Sequence, residues 1–144
     1  MPYSPLMVKP MREELTAIGV RELLTPAEVD AFMADREGTS LIVVNSVCGC
    51  AAGMARPGVR LALESPHKPD RVASVFAGQD LEATARARQH FGDIPPSSPA
   101  IALFKDGQLV HFVPRHRIEG RDAFQVADEL IGAFEQHCAP AAVG

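Results

Sequence analysis

Cys48, Gly49 and Cys50 place two thiols one residue apart, directly after the apolar run Leu41-Ile42-Val43-Val44 and before Ala51-Ala52-Gly53-Met54-Ala55. A strand-to-helix junction of this kind sets free backbone N–H groups and the positive end of a helix dipole beside sulfur, which favours thiolate over thiol. The thiolate is the form that attacks disulfides. Cys48, at or just before the helix start, is the candidate nucleophile. Cys50, in the first turn and deeper, is the candidate resolving thiol, and Gly49 is read as permitting tight backbone between them. Core packing by two small apolar residues is the plain alternative, since free cysteine is often buried, but packing does not require Cys-Gly-Cys at such a place. Two thiolates are also soft ligands for copper(I) or zinc. No further cysteine lies nearby and His67, His90, His111, His116 and His137 are dispersed, so no metal site is expected.

A bridge between Cys48 and Cys50 would enclose one residue and stabilise the fold little. It also needs Cα atoms within roughly 4.4–6.8 Å, so it is expected to be strained and therefore reducible. The pair has the form of a site that opens and closes. Cys138 lies on the apolar face of the last helical stretch, where it reads as a buried bystander or an accessory thiol. Arg56 follows the thiols closely; it is a candidate substrate-binding cation, with a solvated surface position as the alternative. Ser98-Pro99 precedes Ala100-Ile101-Ala102-Leu103-Phe104, where a proline either simply starts a strand or forms a cis bond in a deliberate turn. Arg115-His116-Arg117 is a short basic cluster, read as a solvated turn or as a loop facing the site.

The elements that must position these residues follow from pattern. Val8, Met11, Leu15 and Ile18 recur at helical spacing up to Gly19. Thr25-Pro26-Ala27-Glu28 has the form of a capping box opening a short second helix that ends near Asp35 to Gly38. Leu41 to Val44 is continuous and mostly β-branched, the mark of a strand buried on both faces. Ala51 to Glu64 is helical in spacing, with Pro57 expected to kink it. Arg71 to Phe76 reads as a strand, and Asp80 as the cap of a helix running to Gly92. Ala100 to Phe104 reads as a strand turning back at Lys105-Asp106-Gly107-Gln108, a hairpin signal, into Leu109 to Val113. Ala123, Phe124, Ala127, Leu130, Ile131 and Phe134 mark a closing helix. Strand–helix–strand units require parallel neighbours and right-handed crossovers. The expected fold class is therefore α/β, with a central mixed β-sheet flanked by helices on both faces.

Size and charge bound the remaining possibilities. The chain has 144 residues, 47% hydrophobic and 22% charged, with a net charge of −4. That fits a single domain with one core and argues against disorder or broad affinity for nucleic acid. Its longest apolar run is far short of the ~20 residues that span a bilayer. No signal peptide is evident after Met1-Pro2-Tyr3-Ser4-Pro5, and three cysteines suit a reduced cytosol. Residues 1–144 are read as one domain, with 1–38 as an N-terminal helical extension and 139–144 as a flexible tail. Monomer and homodimer both remain open.

The order of elements, with a dithiol after the first core strand and a Ser-Pro before a strand-turn-strand, resembles the thioredoxin fold. Residues Val44-Asn45-Ser46-Val47-Cys48-Gly49-Cys50-Ala51-Ala52-Gly53-Met54-Ala55-Arg56-Pro57 resemble the signature of the bacilliredoxins, thioredoxin-like proteins with CGC in place of CxxC. Ser97-Ser98-Pro99, the turn at Leu103 to Gly107, Arg115 to Gly120 and His137-Cys138 are similar to that family's later landmarks. The resemblance implies a cis Pro99 facing the dithiol, with Ser98, Pro99 and Gly49 among the substrate contacts. It implies removal of bacillithiol from bacillithiolated client proteins, with weak disulfide reductase or isomerase behaviour. Cys48 would take the thiol, and Cys50 or a second thiol would release it. No cofactor is implied beyond bacillithiol as substrate or co-reductant, and no nucleic acid or membrane partner. Read from the residues alone, a metal or thiol carrier without turnover and a redox-sensing interaction module stay open beside the enzyme.

Overall fold

The structure, a computed structural model, describes residues 2–139. In chain order the elements are α1 (Pro5–Thr16), β1 (Arg21–Glu22), α2 (Pro26–Ala34), β2 (Thr39–Asn45), a π-helical turn (Ala51–Ala55), α3 (Arg56–Ala62), β3 (Arg71–Phe76), α4 (Leu81–Gln89), β4 (Ala100–Lys105), β5 (Gln108–Val113), a 3₁₀ turn (Arg115–Arg117) and α5 (Ala123–His137). The sheet has five strands in the order β1-β3-β2-β4-β5. β1, β3 and β2 are parallel, while β4 runs antiparallel to β2 and β5 antiparallel to β4. This is the expected mixed sheet.

Every residue of β2 is buried, because the strand is central and its alternating side chains enter two cores. Leu41 and Val43 join Leu15 of α1, Val59 of α3 and Val126, Leu130 and Phe134 of α5 on one face. Ile42 and Val44 join Val29 and Phe32 of α2 and Ala83 and Ala87 of α4 on the other. Each fully buried Leu, Ile or Val stabilises by about 1.5–3 kcal/mol. In register, Val44 sits between Val75 of β3 and Ala100 of β4. The C-terminal end of β2, from which the dithiol departs, thus lies beside the residue that follows Pro99.

Four local features differ from expectation. The two-residue strand β1 pairs Arg21 with Ala73 and Glu22 with Ser74, so the segment before residue 38 contributes an edge strand as well as helices. At the start of α2, Thr25 Oγ1 accepts from the Glu28 N–H, but Glu28 Oε2 accepts from the Leu24 N–H, one residue earlier than a standard capping box. Asp80 does not cap α4 through its side chain. Its two oxygens accept from Arg12 at 2.7 and 3.0 Å, and a bidentate charged pair outcompetes a neutral cap. Finally, Pro57 is the second residue of α3, and the turn before that helix widens so that Arg56 N–H donates to Ala51 O, because proline has no N–H for the ordinary ladder. The hairpin turn is as expected, with Asp106 and Gly107 at φ 51° and 83°. Of the tail 139–144, all but Ala139 lies outside the described residues.

Candidate active site

β2 ends at Asn45 after four wholly apolar residues, Ser46 follows it, and both are buried. Asn45 Nδ2 donates to Met11 O of α1 at 3.1 Å, and its Oδ1 accepts from the Ser46 N–H and from Arg56 Nη1, each at 2.9 Å. Arg56 Nη1 also donates to Ser46 O at 2.9 Å. Ser46 Oγ accepts from the Cys48 N–H at 3.1 Å. The Cys48 carbonyl then accepts from Ala51 N–H at 2.9 Å and starts the turn. A chain of buried and half-buried hydrogen bonds thus leads from α1 to the backbone of Cys48, where the low local dielectric strengthens each bond.

Arg56 is therefore placed differently from either expectation. It is 3% exposed, with its guanidinium committed to Asn45, Ser46 and, through Nε at 3.2 Å, the Glu14 carboxylate. That last pair is an ionic contact without hydrogen-bond alignment. Burying a guanidinium is costly unless it is paired, and here the pairing braces the loop under the thiols rather than offering a cation to substrate.

Cys48 is half-buried and Cys50 buried, both as free thiols. The pKa of Cys48 is lowered below the ordinary thiol value, first by a hydrogen bond from the Cys50 side chain, then by the Cys50 backbone N–H, with help from the Arg115 charge and the Ala51 N–H. Cys50 is raised, first by burial and then by the neighbouring Cys48. Cys48 is thus the more acidic thiol, and Cys50 keeps its proton more tightly and donates it in a hydrogen bond. Gly49 is exposed between them at an ordinary φ, and a Cβ there would meet nothing within 4 Å. Its place is set by openness above the thiols rather than by a glycine-only conformation.

The Ser98–Pro99 peptide is cis, with Ser98 half-buried and Pro99 buried. Arg115 links this loop to the thiols. Its N–H donates to Ser97 Oγ at 3.2 Å, its Nη1 to Ser98 O at 3.4 Å and its Nε to Glu119 at 3.2 Å, while its charge acts on both Cys48 and Cys50. Arg115 belongs to the basic cluster noted in the sequence, and of that cluster it is the residue that reaches the site. Asn45 and Ser46 carried one signal only: two polar residues directly after the apolar run Leu41 to Val44. The segments holding Ser97 and Pro114 also wall an apolar cleft of about 550 Å³ with Pro95, Pro96 and Phe112.

Cys138 is apart from this site. It is buried beside Thr39, and burial raises its thiol pKa. Thr39 begins β2 and Cys48 follows its end, so the length of the strand, roughly 23 Å at ~3.3 Å per residue, separates them. No described helix is long and apolar enough to cross a membrane.

Comparison with known proteins agrees with this geometry. A family profile described as disulphide isomerase matches residues 3–138. The chain is 58% identical over 140 residues to a bacilliredoxin of Salinibacter ruber, covering 96% of this chain and 82% of that protein. It is 51% identical over 137 residues to one from Bacillus licheniformis, covering 94% and 95%. Among solved structures, Fasciola hepatica thioredoxin superposes with a TM-score of 0.57 at 22% identity, covering 82% of this chain and 99% of that one, a likeness of fold. A thioredoxin-like fold with a split-acidity dithiol in such company is a thiol–disulfide oxidoreductase scaffold.

Proposed function

The chain belongs to the bacilliredoxin family, and on that premise we propose that it reduces mixed disulfides between client proteins and bacillithiol, with Cys48 as nucleophile and Cys50 as resolving thiol. The observation that carries this reading is the division of labour between the two thiols: Cys48 is reachable and acidified, Cys50 buried and protonated. The Cys48 thiolate attacks the bacillithiol sulfur. The client–bacillithiol S–S bond breaks, the client leaves as a thiolate and takes a proton, and bacillithiol is held on Cys48. Cys50 loses its proton as it attacks the Cys48 sulfur, forming the Cys48–Cys50 disulfide and expelling bacillithiol. The dithiol has then supplied two electrons, and an external thiol reductant returns them. Gly49, Ser98 and Pro99 are the proposed substrate contacts, with Gly49 leaving the approach open and the Ser98 backbone bordering it. Weak disulfide reductase or isomerase activity follows from the same exchange steps. A cytoplasmic setting and bacillithiolated clients belong to this reading; it needs no cofactor beyond bacillithiol itself.

The test is single-turnover clearance of a bacillithiolated client followed by intact mass. Wild-type protein is expected to free the client and end as a disulfide, Cys50→Ala to stop with one bacillithiol on Cys48, and Cys48→Ala to leave the client modified. A Cys48→Ala protein that clears the client at the wild-type rate removes the proposal.

A further inference from the structure

We propose that Arg115 is a specificity-determining residue that reads a carboxylate on the low-molecular-weight thiol, exchanging its resting partner Glu119 for the substrate's acid group. This rests on the exchange reading above and adds which thiols the site prefers.

Arg115 is placed for the role by two hydrogen bonds and by its charge. Its backbone N–H and its Nη1 hold it against Ser97 and Ser98 beside the cis peptide, and its charge reaches both thiols. Its side chain is 45% exposed and its acidic partner Glu119 is 53% exposed, so the resting pair is a weak surface pair, screened by solvent and readily exchanged. The guanidinium has five donors in a planar fork that matches a carboxylate. Two are used here, one of them in a long contact, leaving the rest for a ligand. Other arginines at this end are committed. Arg56 is buried on Asn45, Ser46 and Glu14, and Arg117 is paired with Glu129 and Phe112 O. The chain's net charge is −4, so no general field would draw an acidic thiol; attraction must be local. A thiol carried on Cys48 sits beside Arg115, and an acid group on it enters the position Glu119 holds.

The experiment compares two adducts of one single-cysteine client: mercaptosuccinate, which carries carboxylates, and thioglycerol, which is neutral. Client release is followed under single turnover with reduced protein in excess, so the Cys48–Cys50 dithiol supplies both electrons. The readout is the ratio of the two rates within each variant. Any change in Cys48 acidity affects both adducts alike and cancels. Arg115→Gln is expected to lower the ratio by up to about fivefold, the size of an exposed charged contact. Arg115→Lys should retain part of it, and Glu119→Gln should raise it. The wild-type ratio should fall with salt. An unchanged ratio in Arg115→Gln, or a lowered one in Glu119→Gln, overturns the inference and leaves exchange standing. Failure of wild type to release either adduct removes the exchange reading and this inference with it.

Discussion

Two kinds of donor act on the Cys48 sulfur, a thiol and backbone amides, with the Cys50 side chain first and the Cys50 backbone N–H second, and the Arg115 charge adds to them from a distance. Because Cys48 is the acidified member, its thiolate is present below the ordinary thiol pKa, and its reactivity should rise with pH to a midpoint under that value. Removing the first donor should move the midpoint upward. In a Cys138→Ala background, alkylation of Cys50→Ala is expected to show a higher midpoint than the Cys50-containing protein. Cys50→Ser, whose hydroxyl can still donate, should fall between them. Stopped-flow iodoacetamide labelling across pH measures all three, and a Cys50→Ala midpoint equal to that of the parent would contradict the order of causes. In the proposed mechanism Cys50 thus has a second task besides resolving: its hydrogen bond favours the ionised form of Cys48.

The helix that carries the dithiol is fixed from behind, where α3 meets α5. Gly58 is a helix-interior residue, where alanine ordinarily stabilises by roughly 0.5–1 kcal/mol. Here a Cβ would come within 2.7 Å of Val126 Cγ1 and 3.2 Å of the Ala123 carbonyl. Val126 is fully buried and cannot swing away. Overpacking of this kind costs about 1–3 kcal/mol, so the steric effect wins. Gly58→Ala should lower stability in chemical denaturation, and Val126→Ala in the same chain should recover part of the loss; a stabilised Gly58→Ala would show that α3 and α5 can part without cost. The strands β2 to β5, α5 and the hairpin were legible because each carries periodicity or turn chemistry within its own residues. The strand β1 was not, since two residues have no period, and its pairing with β3 is tertiary. The Asp80 cap and the exposed or substrate-facing Arg56 failed for a related reason: local pattern ranks a side chain's near neighbours, and in both cases a distant charged partner won. Asn45 shows the same limit at the site, for its partners are Met11, 34 positions earlier in α1, and Arg56, 11 positions later.

For the whole molecule, the question raised by the sequence is whether residues 1–38 are an appendage. Their contacts argue that they complete both cores. Val8, Leu15, Val20, Leu23, Val29 and Phe32 are all buried. At about 1.5–3 kcal/mol each, their combined burial is comparable to the whole ~5–15 kcal/mol net stability of a domain. β1 covers the β3 edge, and exposed strand edges invite association. Arg12 adds a bidentate pair to Asp80, a 3.3 Å contact to Glu22 and a cation–π contact 5.2 Å above Phe76, tying α1 to β1 and to the corner before α4. The site depends on the same segment, because Met11 O holds Asn45, and Asn45 with Arg56 sets the loop that presents Cys48. A chain beginning at residue 39 is therefore expected to lose cooperative thermal unfolding and to associate in solution, and its Cys48 should lose the lowered alkylation midpoint. Circular dichroism melting and light scattering, read beside the labelling profile, check both parts. A truncated chain that melts cooperatively near the full-length temperature, with Cys48 still acidified, would mean that the segment is an appendage after all.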